Sequence, residues 1–246
     1  MCIRDRNWIG AEKERHIERL QPEQENLRAA LAWLVEHKEQ EAALRLGSSL
    51  WRFWWACGLL SEGRTELARA LAAGEGGVAT PVRAKALYAA GALANMQGDF
   101  EQAEVLCEES LALFRALGDP RGSALSLSIL GYAAAWQRND YASARALLEE
   151  AMTLFRQVDD KYDITLSLVI LASVFLFQGE YNQARTLVEE AAVIDRKAGD
   201  SWHIANSLWI LAMVMFFQGN LPRAHALVEE SLALSRQEGY QEALAY

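Results

Sequence analysis

The chain has 246 residues, 52% of them hydrophobic and 23% charged, which is the balance of a globular protein rather than of a disordered one. A formal net charge of −9 repels phosphate backbones, so direct nucleic-acid contact by this segment is not expected. Cys2, Cys57 and Cys107 form no CxxC and no metal-ligand spacing, which speaks against a disulfide scaffold or metal site and for a reducing, cytoplasmic compartment.

Taken from the start, Met1–Arg6 (MCIRDR) matches a translated transposon sequencing adapter and is set apart from the fold, the alternative being a genuine N-terminus with that spelling. Residues 7–40 read as a helical segment leading from an upstream domain, with an amphipathic helix over Gln24–His37. Residues 41–80 read as a degenerate first repeat unit with its turn at Gly58, and Gly74–Pro81 links it to the regular units. No signal peptide is evident. The apolar stretches Leu166–Phe177 and Leu208–Phe217 are shorter than the roughly 20 residues that span a bilayer, so no membrane contact is expected.

Residues 81–241 hold four copies of one unit. "MQGDFEQAEVLCEES" recurs as "WQRNDYASARALLEEA", "FQGEYNQARTLVEEA" and "FQGNLPRAHALVEES", aligned on Gln97, Gln137, Gln178 and Gln218. A period of about 40 residues is that of a helical solenoid. Gly98, Gly179 and Gly219, with Asn139 in the remaining unit, fit left-handed ends of a first helix. Asp99, Asp140, Glu180 and Asn220 then start a second helix. Ala103, Ala144, Ala184 and Ala224 mark a close approach of two helices. "LGDP" at Leu117–Pro120 and "AGDS" at Ala198–Ser201 close a unit. Residues 242–246 read as the start of a truncated further unit, so the chain is expected to be a fragment. The expected fold is all-α, a right-handed α-solenoid of stacked antiparallel helix pairs. One pair cannot bury its apolar face alone, whereas stacked copies bury a continuous core.

The pattern LGxxxxxxGDxxxAxxxxEESLALxRxxGD, carried by Leu130-Gly131, Gly98-Asp99, Ala103 and Gly118-Asp119-Pro120, resembles the tetratricopeptide repeat in a variant of about 40 residues. Ala172 and Ala212 depart from its first-helix glycine. "ENLRAALAWLVEH" followed by "ALRLGSSLWRFWWACGLLSEGRTELARAL" is similar to the segment that opens the repeat region of bacterial STAND-class signal-transduction ATPases and LuxR-type transcriptional regulators. That resemblance implies an interaction or sensor arm tethered to a nucleotide-binding domain that is missing here.

No GxxxxGK[ST], strand-led GxGxxG, HExxH or GxSxG occurs, so neither catalysis nor a cofactor is expected in this segment. The repeated pairs Glu108–Glu109, Glu149–Glu150, Glu189–Glu190 and Glu229–Glu230 could suggest acid–base chemistry. Adjacent helical residues point about 100° apart, and a solvated helix face accounts for them better. In tetratricopeptide arrays the first helices line a concave groove, and alignment on the turn places thirteen candidate binding residues there. They are Arg52 and Trp55; Tyr88, Asn95 and Met96; Tyr132 and Trp136; Ser173 and Phe177; and Asn206, Trp209, Met213 and Phe217. Aromatics and Met anchor peptides well, although packing between helices explains each of them equally well. Trp33, Trp51 and Trp54 are assigned to the core of the first unit. The expected function is non-catalytic binding of a protein or peptide segment, or of a small inducer, as the arm of an ATP-dependent regulator. A stand-alone scaffold and an appendage of an enzyme such as a cyclase or kinase remain alternatives.

Overall fold

A computed structural model describes residues 10–73, 80–160, 163–199 and 201–237. The adapter-like Met1–Arg6, residues 74–79 of the linker, Asp200 of the second closing turn and residues 242–246 lie outside the described residues. Among the described residues the fold is all-α, built of stacked antiparallel helix pairs without a strand. It divides into two compact units, Met1–Ala133 and Ala134–Tyr246.

In the first unit α1 (Gly10–Leu20) and α2 (Gln24–Glu36) are separated by a 3-10 turn at Gln21–Glu23. Pro22 causes the break, since it lacks the N–H that a continuous helix would need there. Two helix pairs follow, α3 (Gln40–Ala56) with α4 (Leu60–Ala72) and α5 (Pro81–Met96) with α6 (Phe100–Ala116), and then the single helix α7 (Pro120–Gln137), within which the unit boundary falls. Helix α2 packs on α3 and α4, and α5 packs on both of them. Trp51 and Trp54 are buried here as expected, but Trp33 is exposed and lies on the His37 ring, with centroids 4.1 Å apart. The reason is its position on α2, where Leu31 alone is buried.

The second unit contains α8 (Tyr141–Gln157), α9 (Asp163–Phe177), α10 (Tyr181–Ala198), α11 (Ser201–Phe217) and α12 (Leu221–Gln237). Helix α9 is covered by α8, α10 and α11, and all but two of its side chains are buried. That is why "DITLSLVILASVFLF" shows apolar residues all round rather than a stripe. The second helix of a pair keeps one dry face: α10 buries Ala184, Val188, Ala191, Ala192 and Asp195, at helical spacing.

The repeat columns now have physical causes. Gly98, Gly179 and Gly219 have φ of 75°, 79° and 79°, and Asn139 takes φ 51° in the unit without glycine. Asp99, Asp140 and Asn220 cap the second helices, accepting from the backbone N–H of Gln102, Ser143 and Arg223 at 3.3, 3.1 and 3.3 Å. Glu180 makes no such backbone cap and instead accepts from Gln183 Nε2 at 2.8 Å. The Ser110 and Ser231 hydroxyls donate to the carbonyls of Ala84 and Ala205 on their partner helices, at 2.9 and 2.8 Å. Ala103, Ala144, Ala184 and Ala224 are all buried.

Gly91 marks one of the closest approaches. A Cβ there would stand 2.5 Å from Cys107 Sγ and 3.3 Å from the Ala103 carbonyl. Gly91→Ala gains about 1 kcal/mol of helix propensity but overpacks a buried contact that costs about 1–3 kcal/mol. The expected net result is a lower thermal midpoint, checked by circular dichroism and relieved when Cys107→Ala is added.

Candidate protein-interaction site

The paired glutamates form a solvated ladder. Glu149 and Glu189 bridge to Arg145 and Arg185 one turn earlier, at 2.8 and 2.9 Å. Glu190 and Glu230 meet Arg156 and Arg196 of the preceding second helix, at 3.8 and 3.2 Å. Such exposed pairs contribute about 0–1 kcal/mol each, and they set no two carboxylates against a common substrate atom. Asp99 and Asp140 are held below the usual carboxylate range, Asp99 chiefly by the Arg64 hydrogen bond and Asp140 chiefly by the Ser143 hydroxyl, with the capped N–H groups adding to both. A folded pKa below the unfolded one means that the caps stabilise fully above about pH 4. Their contribution is lost as the pH falls from there through the depressed folded values. Asp140→Asn, which caps without titrating, is expected to flatten the fall in urea midpoint below about pH 4.

Cys57 and Cys107 form no disulfide, and burial pushes both thiols up, so they stay protonated near neutral pH. Among the described residues no group of three His, Cys, Asp or Glu side chains is placed to hold a metal, and no helix is long and apolar enough to cross a membrane.

The thirteen candidate residues separate by burial. Arg52, Tyr88 and Ser173 are buried: Arg52 lies over the Trp51 ring at 4.6 Å, Tyr88 meets Trp51 edge-on at 5.7 Å, and Ser173 donates to the Val169 carbonyl at 3.0 Å. They have almost no surface to offer a partner. Trp55, Asn95, Tyr132, Trp136, Asn206 and Met213 are half-buried, and Met96, Phe177, Trp209 and Phe217 are exposed. The Asn95 Oδ1 is buried without a hydrogen-bond partner among the described residues.

In the second unit the structure draws several of these into one row at the turn ends of α7, α9 and α11. Trp136 meets Phe177 edge-on at 6.1 Å, and Tyr141 stacks on Phe177 at 6.5 Å with the planes 11° apart. One repeat later Tyr181 stacks on Phe217 at 5.9 Å and 6°, and Phe216 meets Phe217 edge-on at 5.4 Å. Sequence reasoning missed Tyr141 and Tyr181, although the signal was present: each follows the acid that starts a second helix, as Phe100 does. Phe177 is 55% exposed and Phe217 50%, so interior and final repeats present this ring alike. The case differs for Trp209 and Phe216, which are 36% and 58% exposed where Val169 and Leu176, one repeat earlier, are 5% and 4%. Among the described residues no helix follows α12 to cover that side of α11. In the first unit an open cleft of about 460 Å³ lies between α4 and α6 over Ala90, with Ser61, Arg64 and Gln97 on its walls. Its cation is committed: Arg64 bonds to Asp99 and to Gln97.

The sequence model of the tetratricopeptide repeat matches residues 82–157 and 163–237. The chain belongs to the tetratricopeptide-repeat family. Solved structures agree on the fold. BtubC (BKLC) from P. vanneervenii superposes with a TM-score of 0.67 at 15% identity, over 87% of this chain and 92% of that one. RapI in its apo form gives 0.61 at 17% identity, over 85% and 89%. The nearly identical TPR-like repeats of a Podosopora anserina kinesin light chain give 0.57 at 20%, over 82% and 98%. No curated protein matches the chain. A tetratricopeptide array is a protein-interaction scaffold, and tetratricopeptide repeats are in general not catalytic.

Proposed function

We propose that this tetratricopeptide segment binds a partner polypeptide through the ring row Trp136, Tyr141, Phe177, Tyr181 and Phe217. The carrying observation is Phe177, an interior ring left 55% exposed that meets Trp136 edge-on and stacks with Tyr141 of the same row. The helices behind the row supply almost no charge: α9 carries only Asp163, which is buried, and α11 carries no Lys, Arg, Asp or Glu. Contact with the rings themselves is therefore apolar. Short random peptides displayed on phage and selected on the protein test the site. Selected peptides must lose affinity for Phe177→Ala, and equal affinity overturns the assignment.

The parent role we infer is the arm of an ATP-dependent bacterial regulator in the cytoplasm, with the array receiving a partner segment or a small inducer and passing its occupancy to a nucleotide-binding domain. The support is the similarity of Glu25–Leu71 to the opening of such repeat regions. Sequencing the native locus decides it. A P-loop upstream of residue 7 fits the regulator, further repeats alone make a stand-alone scaffold, and a cyclase or kinase core makes the array an enzyme's appendage.

A further inference from the structure

The row is periodic, and its period selects a class of occupant. Tyr141 with Phe177, and Tyr181 with Phe217, are near-parallel ring pairs one repeat apart. Helices α9 and α11 are in contact, and packed helices lie about 8–10 Å apart. A polyproline II strand repeats every three residues with a rise of about 9 Å per turn, so residues i and i+3 of such a strand meet successive ring pairs. A β-strand cannot match this, because its residues i and i+3 point to opposite faces.

The polar surroundings favour the same class. An extended strand of this kind has no internal hydrogen bonds, so its carbonyls are open to donors; the Tyr181 hydroxyl and the Gln178 amide, next in chain to Phe177, can supply them, while the Tyr141 hydroxyl lies 3.5 Å from Asn139 Oδ1. The charge is complementary to a basic segment. Asp140 and Glu180 immediately precede Tyr141 and Tyr181, against the single Arg138 in the same turn, while Arg145 is engaged with Glu149 and lies over the Phe175 ring at 4.9 Å. Asp140 also retains its charge, since its carboxyl is held below the usual range.

We propose that the row takes an extended, proline-containing segment with proline at every third position and basic residues between. This deepens the partner-binding reading above and rests on it.

The test uses fluorescein-labelled synthetic peptides of repeated Arg-Pro-Ala and, as controls, repeated Arg-Ala-Ala and Glu-Pro-Ala, with an amphipathic Leu/Lys helix of equal length. Binding is read by anisotropy. Repeated Arg-Pro-Ala is expected to bind about tenfold or more tightly than either repeat control, and to lose about tenfold with Phe177→Ala or Tyr181→Ala. Tyr181→Phe, which keeps the ring and removes the donor, is expected to lose less. If the amphipathic helix binds in a Phe177-dependent way and Arg-Pro-Ala does not, the class is overturned and the site stands. If Arg-Pro-Ala and Arg-Ala-Ala bind equally, charge alone acts and the proposal is overturned. If no peptide binds and phage-selected peptides are indifferent to Phe177→Ala, both readings are overturned.

Discussion

Phe155→Ala is expected to cost about 3–5 kcal/mol, the range for emptying a buried aromatic site. Phe155 lies on α8, is fully buried and ranks among the largest fully enclosed side chains of the molecule. Mature stabilities of single domains are about 5–15 kcal/mol, so one such cavity removes a large share. In a repeat array each helix pair leans on its neighbours, and stability is close to a sum of local and nearest-neighbour parts. The loss is therefore concentrated in the second unit, whose tryptophans include Trp136, Trp202 and Trp209. The expected outcome in urea is a tryptophan-fluorescence transition shifted to markedly lower midpoint. An unshifted midpoint contradicts the packing of α8.

Phe177→Ala is expected to do the opposite: little to stability and much to binding. The ring is more than half exposed and loses mainly its contacts with Tyr141 and Trp136, worth about 0.5–1.5 kcal/mol. As a central anchor for a partner it is worth about 2 kcal/mol or more, which is a loss of about 30-fold in affinity for a selected peptide. The proper control is Val105→Ala. Val105 is also an exposed apolar residue, 58% accessible, but stands on α6 outside the row. Its removal is expected to leave affinity unchanged. Equal losses for both variants point to a general change in surface rather than to an anchor.

The fold was legible in the sequence because its determinants are local and are repeated. Left-handed glycines at Gly98, Gly179 and Gly219, caps at Asp99, Asp140 and Asn220, and buried alanines at Ala103, Ala144, Ala184 and Ala224 each state a backbone requirement that depends on a few neighbours in the chain. The glutamate pairs were legible for the same reason, since their one-turn partners Arg145 and Arg185 are read off helical spacing. Writing such signals several times at one period leaves little room for another architecture.

The site was legible only in part. Alignment on the turn put Tyr88 and Phe177 in comparable roles, but Tyr88 is packed against Trp51 and Phe177 is open. Trp33 looked like core and is not, because nothing in the sequence of α2 says which of its faces the next helices cover. The stacks of Tyr141 on Phe177 and of Tyr181 on Phe217 join residues 36 positions apart, from the start of one helix to the end of another in the next repeat. By itself the sequence determined the helices, their caps and their period, which follow from backbone propensity and hydrogen bonding over a turn or two. Which aromatics are buried and which meet in a row was decided only by the tertiary structure, because burial depends on how one helix pair is rotated against the next, and that rotation is set by the packing of all their side chains together.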